Sequence, residues 1–124
     1  MVTTHRVLHF VPDQGVTLRT VDNVLTAHQQ LVGGLIEPVT LRVDPRRHGE
    51  LTLVANEEGM VYDLPVGWAW PGTLRPIFGS FFVARSQDDL TDRRRFVDLL
   101  DTDIPPICRL FGVEPDALLR DEEA

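Results

Sequence analysis

The sequence predicts an α+β fold: a mainly antiparallel, twisted sheet of about five or six strands, with one central helix packed on it and short helices at the C-terminal end. Two observations carry this prediction. Short runs of alternating apolar and polar residues, separated by Gly, Pro, Asn and Asp, are typical of hairpins. One early segment changes to the three-and-four spacing of a helix. Because the predicted strands follow one another directly, a doubly wound sheet is not expected.

The first predicted element is a hairpin. Residues 5–12 form a β-branched and apolar run that ends at a proline. Residues 13–15, "DQG", are a turn signal, because Asp and Gly favour tight turns. Residues 16–21 then alternate as the second strand.

The central helix is predicted next. From Val21 to Val32 the apolar residues recur at three and four positions, which is the spacing of one helical face. Asp22 is expected to cap the N-terminus, since its carboxylate can accept a hydrogen bond from a free amide of the first turn. Gly33 and Gly34 are expected to end the helix, because glycine adopts the left-handed C-cap conformation at no steric cost.

Three strands are predicted in the middle of the chain, at residues 35–43, 50–56 and 60–65. The segment "NEEG", residues 56–59, is expected to be the hairpin turn between the last two, with Gly59 supplying a positive φ. The strand after this turn would place alternate residues on one face.

In residues 77–84 both the odd-numbered and the even-numbered positions include apolar residues, which predicts a central strand that is covered on both faces. The length of 124 residues predicts one domain over 1–124. Its core is expected at about 5–111, followed by an acidic tail, 112–124, that is free to be mobile.

The sequence after residue 90 predicts short helices. The first covers residues 91–100, with Thr91 as its cap. A second begins at Pro105 and Pro106, since proline suits the first helical turn. Pro115 is expected to begin a third.

The composition excludes several classes of function. The chain has 19 Asp and Glu against 12 Lys and Arg, a net charge of −7, so direct nucleic-acid binding is not expected. Cys108 is the only cysteine, which excludes an intrachain disulfide and a structural thiolate zinc site. No apolar run approaches the ~20 residues of a membrane-spanning helix, and the start lacks signal-peptide features. We therefore expect a cytoplasmic protein without membrane association.

Two adjacent carboxylates, Glu57 and Glu58, are the first candidates for acid–base chemistry. Neighbouring residues of an extended chain point to opposite sides, so the pair cannot easily converge on one substrate. The alternative is a solvated turn tip, in which Asn56 bonds the turn backbone. The sequence favours the turn.

The other reactive residue types give no site. His5 and His9 share a strand face but lie about 13 Å apart, too far for one metal ion. Cys108 is expected to be buried and apolar. Ser80 lacks the second glycine of a nucleophile elbow. No catalytic, cofactor-binding or metal-binding residue is therefore assigned, and no cofactor is expected.

Two loops are candidates for partner binding. One contains Arg46, Arg47 and His48, and the other, rich in Gly and Pro, contains Trp68 and Trp70. Exposed tryptophan and arginine are common interface anchors. For the tryptophans the alternative is a lid folded back over the core, because most tryptophans are substantially buried.

Three motifs carry a resemblance: "LVGGLIEPVTL", "NEEGMVYDLPV" and "IFGSFFVARSQDDLTD", in that order and spacing. They resemble domain-of-unknown-function family 3846, found in phages, integrative elements and their bacterial hosts, over roughly residues 6–100. Family members commonly have Asn where this chain has Gly67. The family has no established activity, so the resemblance implies a context, an accessory protein of mobile DNA that is sometimes encoded near antirestriction genes.

The resulting hypothesis is a non-enzymatic accessory protein that binds a host protein in a regulatory or anti-defence role. One alternative is an acidic nucleic-acid mimic that inhibits a restriction or defence enzyme, motivated by the net charge of −7 and the acidic tail. The other is a small enzyme, which would show a deep pocket lined by convergent polar groups. The sequence leaves the identity of the partner and the oligomeric state open.

Overall fold

The structure, a computed structural model, describes residues 3–44, 49–88 and 94–121 of the chain. The helices and strands are β1 (Thr4–Val11), β2 (Gly15–Asp22), α1 (Leu25–Val32), β3 (Ile36–Asp44), β4 (Gly49–Asn56), β5 (Val66–Ala69), β6 (Pro76–Phe78), β7 (Phe81–Asp88), β8 (Arg94–Val97), α2 (Ile104–Phe111) and β9 (Leu119–Arg120). Short 3-10 turns at Asp101–Asp103 and Pro115–Ala117 flank α2.

Seven of these strands form one sheet. Its order is β3-β4-β7-β1-β2-β9, and β8 pairs with β7 beside this path. The described pairings in the sheet are antiparallel except β2 with β9, which is parallel. The strands β5 and β6 form a separate antiparallel pair. The predicted α+β class with a mainly antiparallel sheet is confirmed.

The predicted first hairpin is also confirmed. The β1–β2 register runs without interruption from Thr4 opposite Asp22 to Val11 opposite Gly15. The turn is closed by a 3.0 Å hydrogen bond from the Gln14 amide to the Val11 carbonyl. Gly15 has φ of 104°, a conformation that glycine adopts without the steric cost of a Cβ.

The strand β7 lies in the middle of the sheet, between β4 and β1. The strand predicted at residues 77–84 is wrong in its bounds: Ile77 belongs to β6, Gly79 with φ of 88° lies between the two strands, and β7 begins at Phe81. Every residue from Phe81 to Ser86 is buried, as expected for a central strand. Phe81 and Val83 belong to the core on one face of the sheet, whereas Phe82 and Ala84 belong to the core on the other. Its first four residues, Phe81 to Ala84, are all apolar because both faces of the strand are covered there.

Two layers cover the sheet. The larger core lies on the face that contacts α2 and the β5–β6 pair, and it includes Leu8, Phe10, Leu53, Phe81, Ile107 and Phe111. The smaller core lies on the opposite face beneath α1, and its buried members are Val7, Val32, Val54, Phe82 and Ala84. The alternation of each strand sends successive side chains to these two cores in turn.

The helix α1 is shorter at its start than predicted. It begins at Leu25, its N-cap is Val24, and no side chain caps it. Asp22 was expected to cap it, which is wrong, because Asp22 is still paired with Thr4 in the β1–β2 ladder. The predicted end is confirmed: Gly33 has φ of 79° and its amide donates to the Gln29 carbonyl at 2.8 Å.

The prediction of a helix over residues 91–100 is wrong for the part of this range that the structure describes, residues 94–100. Thr91 lies outside the described residues, but Arg94–Val97 is the strand β8, paired with Arg85–Asp88 of β7. The reason is long-range pairing: β1 contacts only Phe81–Val83 of β7, and the next part of that strand accepts β8 as its neighbour. Sheet pairing overrides local helical spacing here.

The helix predicted from the proline pair is confirmed as α2, which has Pro105 and Pro106 in its first turn. It ends at Gly112, whose φ is 67°. The third predicted helix is reduced to the 3-10 turn at Pro115–Ala117, and the chain then adds β9 to the sheet edge. Neither α1 nor α2, the helices in the described ranges, is long and apolar enough to cross a membrane.

Candidate functional site

The segment after β4 presents three consecutive apolar side chains to solvent. Met60, Val61 and Tyr62 are 72%, 76% and 66% exposed, and we call this surface the apolar turn. The sequence predicted a strand at residues 60–65, which is wrong: the chain forms successive turns, and β5 begins at Val66 and pairs with β6. Contiguous exposed apolar side chains are a feature of interaction surfaces.

Backbone hydrogen bonds hold the apolar turn in one conformation. Three bonds of 3.0–3.1 Å close it, from the amides of Tyr62, Asp63 and Leu64 to the carbonyls of Glu58, Met60 and Gly59 respectively. Asp63 adopts a left-handed φ of 51°, which aspartate tolerates better than most residues. These bonds satisfy the backbone locally, so the segment needs no partner strand.

Asn56, the last residue of β4, anchors the apolar turn. Its Oδ1 accepts a 2.8 Å hydrogen bond from the Glu58 amide, which confirms that it bonds the turn backbone. Its Nδ2 donates to the Val32 carbonyl at the end of α1, at 3.1 Å. The Glu57 amide also donates to the Leu35 carbonyl at 2.8 Å. The turn is thereby fixed to both the sheet and the helix.

Gly59 is needed for a reason other than the predicted one. A positive φ was expected, but Gly59 is not among the residues with positive φ. It is buried, and a Cβ at this position would lie 2.5 Å from the carbonyl oxygen of Phe78. Close backbone approach, rather than turn conformation, therefore requires glycine.

Carboxylates border the apolar turn in sequence. Glu57 and Asp63 are exposed and Glu58 is half-buried. Glu57 and Glu58 lie in a turn, as expected, but it is not the tip of the predicted hairpin, because residues 60–65 form no strand. The apolar turn therefore has an acidic edge.

A second feature is a cavity of about 570 Å³ on the α1 face of the sheet, which we call the polar cleft. Its floor contains Glu50 and Thr52 from β4 and Ser86 from β7. These side chains are 6%, 4% and 2% exposed. Its wall includes Phe96 from β8. The β4–β7 and β7–β8 registers place Glu50 opposite Ser86, and Ser86 opposite Phe96.

Hydrogen bonds order the floor of the polar cleft. Thr40 Oγ1 donates to Glu50 Oε2 at 3.1 Å. Thr52 Oγ1 and Ser86 Oγ lie 2.7 Å apart, so one hydroxyl donates to the other. At the wall, Asn23 Nδ2 donates to the Phe96 carbonyl at 2.9 Å, which ties β8 to the segment before α1. The cleft is therefore built from hydrogen-bonded groups on several elements.

Buried histidines pack between α1 and the sheet, next to the polar cleft. The Nε2 atoms of His5 and His28 are 2.9 Å apart, and the Phe96 ring stacks on His5 with centroids 5.4 Å apart. One imidazole must donate and the other accept, so the neutral rings carry their protons on different nitrogens. His9 Nε2 donates to the Leu31 carbonyl at 2.7 Å.

Burial controls the protonation of these histidines. It lowers the pKa of His5 to about 4, with the neighbouring His28 lowering it further and Asp98 and the Val97 carbonyl opposing the change. Burial also lowers the pKa values of His9 and His28. The three rings are therefore neutral packing groups at neutral pH.

The tryptophans predicted for partner binding lie against the sheet. Trp68 lies on the strand β5 and not in the predicted loop, and both Trp68 and Trp70 are half-buried and pack on the larger core. Trp68 meets Phe10 and Phe81 edge-on, with centroids 5.2 and 5.7 Å apart. This is the arrangement of the lid alternative, while partner binding by the indoles stays a prediction.

The other residues singled out from the sequence do not join the tryptophans. Arg46, Arg47 and His48 lie outside the described residues. Cys108 is buried, as expected, and burial raises the pKa of its thiol, which disfavours the nucleophilic thiolate. Ser80 is half-buried just before β7.

Sequence reasoning missed the polar cleft. The sequence did contain a signal. Glu50 and Thr52 alternate with the same set of positions as the apolar Val54 on β4, and Ser86 alternates with the same set as Phe82 on β7, so each lies on the face of its strand that is otherwise apolar. Polar residues on an apolar face predict a break in the core. Their convergence could not be predicted, since it depends on the register between β4 and β7.

Comparison with known proteins gives one family. The chain matches the model of the family described as "Domain of unknown function (DUF3846)" over residues 5–110. No curated protein and no solved structure matches the chain.

Proposed function

Because the chain belongs to the DUF3846 family, we propose that it is a non-enzymatic accessory protein of phages or other mobile elements that binds a host protein in the bacterial cytoplasm. Its role would be regulatory or directed against host defence. The observation that supports this proposal is the apolar turn, Met60, Val61 and Tyr62, exposed beside the end of β4. The mobile-element context is what the resemblance of the sequence motifs implies, and the apolar turn supports the choice of binding surface.

The rigidity of the apolar turn supports a role in recognition. Its base is held by Asn56, which bonds both the turn and the end of α1. A loop already ordered in one conformation loses less conformational entropy on binding, which increases affinity. Three apolar side chains that are each at least 66% exposed bury little area in the isolated chain, and a partner surface that covers them would account for their place on the surface.

The chemistry of the turn defines the partner. Tyr62 can fill an apolar pocket and hydrogen-bond through its hydroxyl, and tyrosine is enriched among residues that dominate binding energy. Glu57 and Asp63 flank the apolar residues with negative charge. The proposed partner is therefore a host protein with an apolar pocket bordered by Lys or Arg.

The distribution of carboxylates favours this proposal over the nucleic-acid mimic. Among the described residues, exposed carboxylates lie at both ends of the strand order, for example Glu37 on β3 and Asp116 beside β9. A mimic needs its charges arrayed along one face, as phosphates are along a duplex. Arg6 also pairs with Asp101 at 3.0 Å, which reduces the acidic field on that side.

Site-specific photo-cross-linking tests the proposal. A photo-reactive phenylalanine analogue replaces Tyr62, and the same analogue replaces Leu119 on the edge strand β9 as the matched control. Leu119 is 53% exposed and four strands away from β4 in the sheet order. After irradiation in host lysate at low salt, we expect one host protein to be cross-linked from position 62 and not from position 119.

Affinity measurements with that protein complete the test. Met60→Ser and Tyr62→Ser should each weaken binding by about thirtyfold, as expected for anchor residues worth ~2 kcal/mol. Leu119→Ser should leave the affinity unchanged. Equal cross-linking from both positions, or wild-type affinity in both turn variants, would exclude the apolar turn as the binding surface.

A further inference from the structure

A second cavity, of about 300 Å³, lies at the C-terminal end of α1, and we call it the helix-end cavity. Its walls come from the end of α1, the end of β1 and the two segments that precede β5 and β7. They consist of residues 30–33, 11–12, 64–65 and 79–80. The Gly79 amide donates to the Pro65 carbonyl at 2.7 Å, which holds the last two segments together.

The helix-end cavity adjoins the apolar turn. The Leu64 amide closes the turn by its bond to the Gly59 carbonyl, and Leu64 also lines the cavity. On the opposite wall, Asn56 at the base of the turn donates to the carbonyl of Val32, which is another lining residue. A partner that covers the apolar turn would extend over this cavity, so the occupant inferred for the cavity rests on the proposed function.

The size and lining of the helix-end cavity fit one long side chain. Its volume of about 300 Å³ is at the lower limit of ligand pockets, roughly 300–1,000 Å³. Much of the lining is apolar, including Val11, Leu31 and Leu64. Arginine and lysine bury the aliphatic stems of their side chains along such surfaces while the charged end stays at the opening.

The end of α1 supplies a carbonyl acceptor at this cavity. The last four carbonyls of a helix have no partner within the helix. Three of those four in α1 accept hydrogen bonds from elsewhere in the chain. These bonds run from the Gly33 and Gly34 amides to Gln29, from His9 to Leu31 and from Asn56 to Val32. In the described part of the chain nothing donates to the fourth carbonyl, that of Gln30, which lines the cavity.

The electrostatics of the helix-end cavity favour a cation. The macrodipole of a helix places partial negative charge at its C-terminus, and the last turn of α1 contains no basic residue. The exposed carboxylates Glu57 and Asp63 border the neighbouring apolar turn. Arg19 on β2 lowers the pKa of His9 through its charge, but neither Arg19 nor any other arginine is among the described residues that line the cavity.

The positions of the acceptors select arginine over lysine. The Gln30 carbonyl belongs to one wall and the Ser80 hydroxyl to another, and the Ser80 side chain makes no hydrogen bond with the described residues. A planar guanidinium presents five N–H donors in a fork and can bond to two separate acceptors, whereas an ammonium is a compact charge. We propose that the helix-end cavity binds an arginine side chain of the host partner, with its stem against Leu31 and Leu64 and its guanidinium on the Gln30 carbonyl.

Amide NMR spectra of the full chain, titrated with n-butylguanidinium, n-butylammonium and 1-butanol, test the site without a host protein. We expect n-butylguanidinium at millimolar concentration to shift the amides of Gly33, Leu64 and Ser80. The ammonium and the alcohol should each bind about fivefold more weakly. Equal binding of 1-butanol would overturn the role of charge, and equal binding of n-butylammonium would overturn the choice of arginine. Absence of shifts with all three would overturn the site itself.

Variants of α1 locate the binding group. Gln30→Arg places a cation at the cavity on an exposed helical position, and it should weaken n-butylguanidinium binding by about fivefold or more. Gln30→Glu should bind this probe at least as tightly as the wild type does. Thr26→Arg makes the same charge change in the exposed first turn of α1 and is the matched control, with wild-type binding expected. Equal losses in the two arginine variants would overturn the role of the helix end.

The same variants separate this inference from the proposed function. With the host protein that is cross-linked from position 62, Gln30→Arg should weaken the affinity about fivefold and Thr26→Arg should leave it unchanged. If Gln30→Arg kept wild-type affinity while Tyr62→Ser lost it, the cavity would be excluded from the interface and the apolar turn would remain part of it. Failure to cross-link any host protein would overturn the proposed function, and with it the identity of the occupant.

Discussion

Arg85 on the central strand β7 and Asp103 before α2 form a buried ion pair with two hydrogen bonds. Arg85 Nε donates to Asp103 Oδ2 at 3.0 Å, and Nη2 donates to Oδ1 at 3.2 Å. The side chains are only 6% and 10% exposed. The same carboxylate accepts the Leu100 amide at 2.8 Å. This pair therefore fixes the C-terminal segment to the sheet.

Removing Asp103 should strongly destabilise the fold. Asp103→Ala removes the carboxylate that makes both described bonds to the buried Arg85 guanidinium, and breaking a buried ion pair in this way typically costs about 3–5 kcal/mol. Asp101→Ala is the matched control, because its pair with Arg6 has a carboxylate side chain that is 89% exposed; it should change the free energy of unfolding by less than about 1 kcal/mol. Urea unfolding measures both, and similar losses would show that burial does not distinguish the two pairs.

Truncating Trp68 should affect stability through its contacts with Phe10 and Phe81. Trp68→Ala removes an indole that meets both rings edge-on, and we expect a loss of about 3 kcal/mol. Trp68→Phe keeps part of this packing and should lose less. Thermal melts beside the partner-binding assay decide the role: an unchanged melting temperature with weakened binding would return Trp68 to the interface.

Gly59→Ala should destabilise the chain because the new Cβ would meet the Phe78 carbonyl at 2.5 Å. Relieving this contact requires a backbone shift, with an expected cost of about 1–3 kcal/mol. Gly72→Ala is a useful comparison, since that position has φ of 74° and open space around it, so only the conformational cost of about 1 kcal/mol applies. If chemical denaturation showed that Gly59→Ala lowers the free energy of unfolding less than Gly72→Ala does, the steric explanation would be contradicted.

The carboxylates at the tip should contribute little to folding. Glu57 is exposed, and its backbone amide rather than its side chain makes the bond to the Leu35 carbonyl. Glu57→Gln should therefore change the free energy of unfolding by less than about 0.5 kcal/mol. Asn56→Ala removes both side-chain bonds of a buried residue and should cost about 1–3 kcal/mol. If urea denaturation showed a larger loss of stability for Glu57→Gln than for Asn56→Ala, the anchoring role of Asn56 would be refuted.

Acid should destabilise the fold through His5. Its pKa is about 4 in the fold and about 6.5 in the unfolded chain, so between these values the unfolded chain binds a proton that the folded chain does not. Stability is therefore complete above about pH 6.5 and falls as the pH decreases toward 4, by on the order of 3 kcal/mol from this group. Burial lowers the pKa values of His9 and His28 in the same direction.

Melting temperatures at about pH 7.5 and about pH 5 measure this effect. The wild type should melt at a clearly lower temperature at the acidic pH. In the double variant His5→Phe, His28→Leu the two titrating rings are absent, so the difference between the two pH values should shrink. A difference as large as that of the wild type would mean that other groups cause the acid sensitivity.

Local side-chain patterns determined much of this protein. The alternation in residues 5–21 predicted β1 and β2, the Gly33 stop predicted the end of α1, and the two-sided apolar run predicted a central β7. These features follow from the periods of strand and helix and from the conformational freedom of glycine, which act over a few neighbouring residues. The sequence therefore contains them without reference to the rest of the chain.

The tertiary structure alone decided the features that depend on distant partners. Arg94–Val97 is a strand because part of β7 is left for it to pair with, although its local spacing indicated a helix. The apolar turn is anchored by the side chain of Asn56, which bonds the Glu58 amide and the Val32 carbonyl, and the close approach of the Phe78 carbonyl leaves no room for a Cβ at Gly59. The polar cleft requires the register that sets Glu50 opposite Ser86. Each depends on contacts between residues far apart in the chain, which no local period encodes.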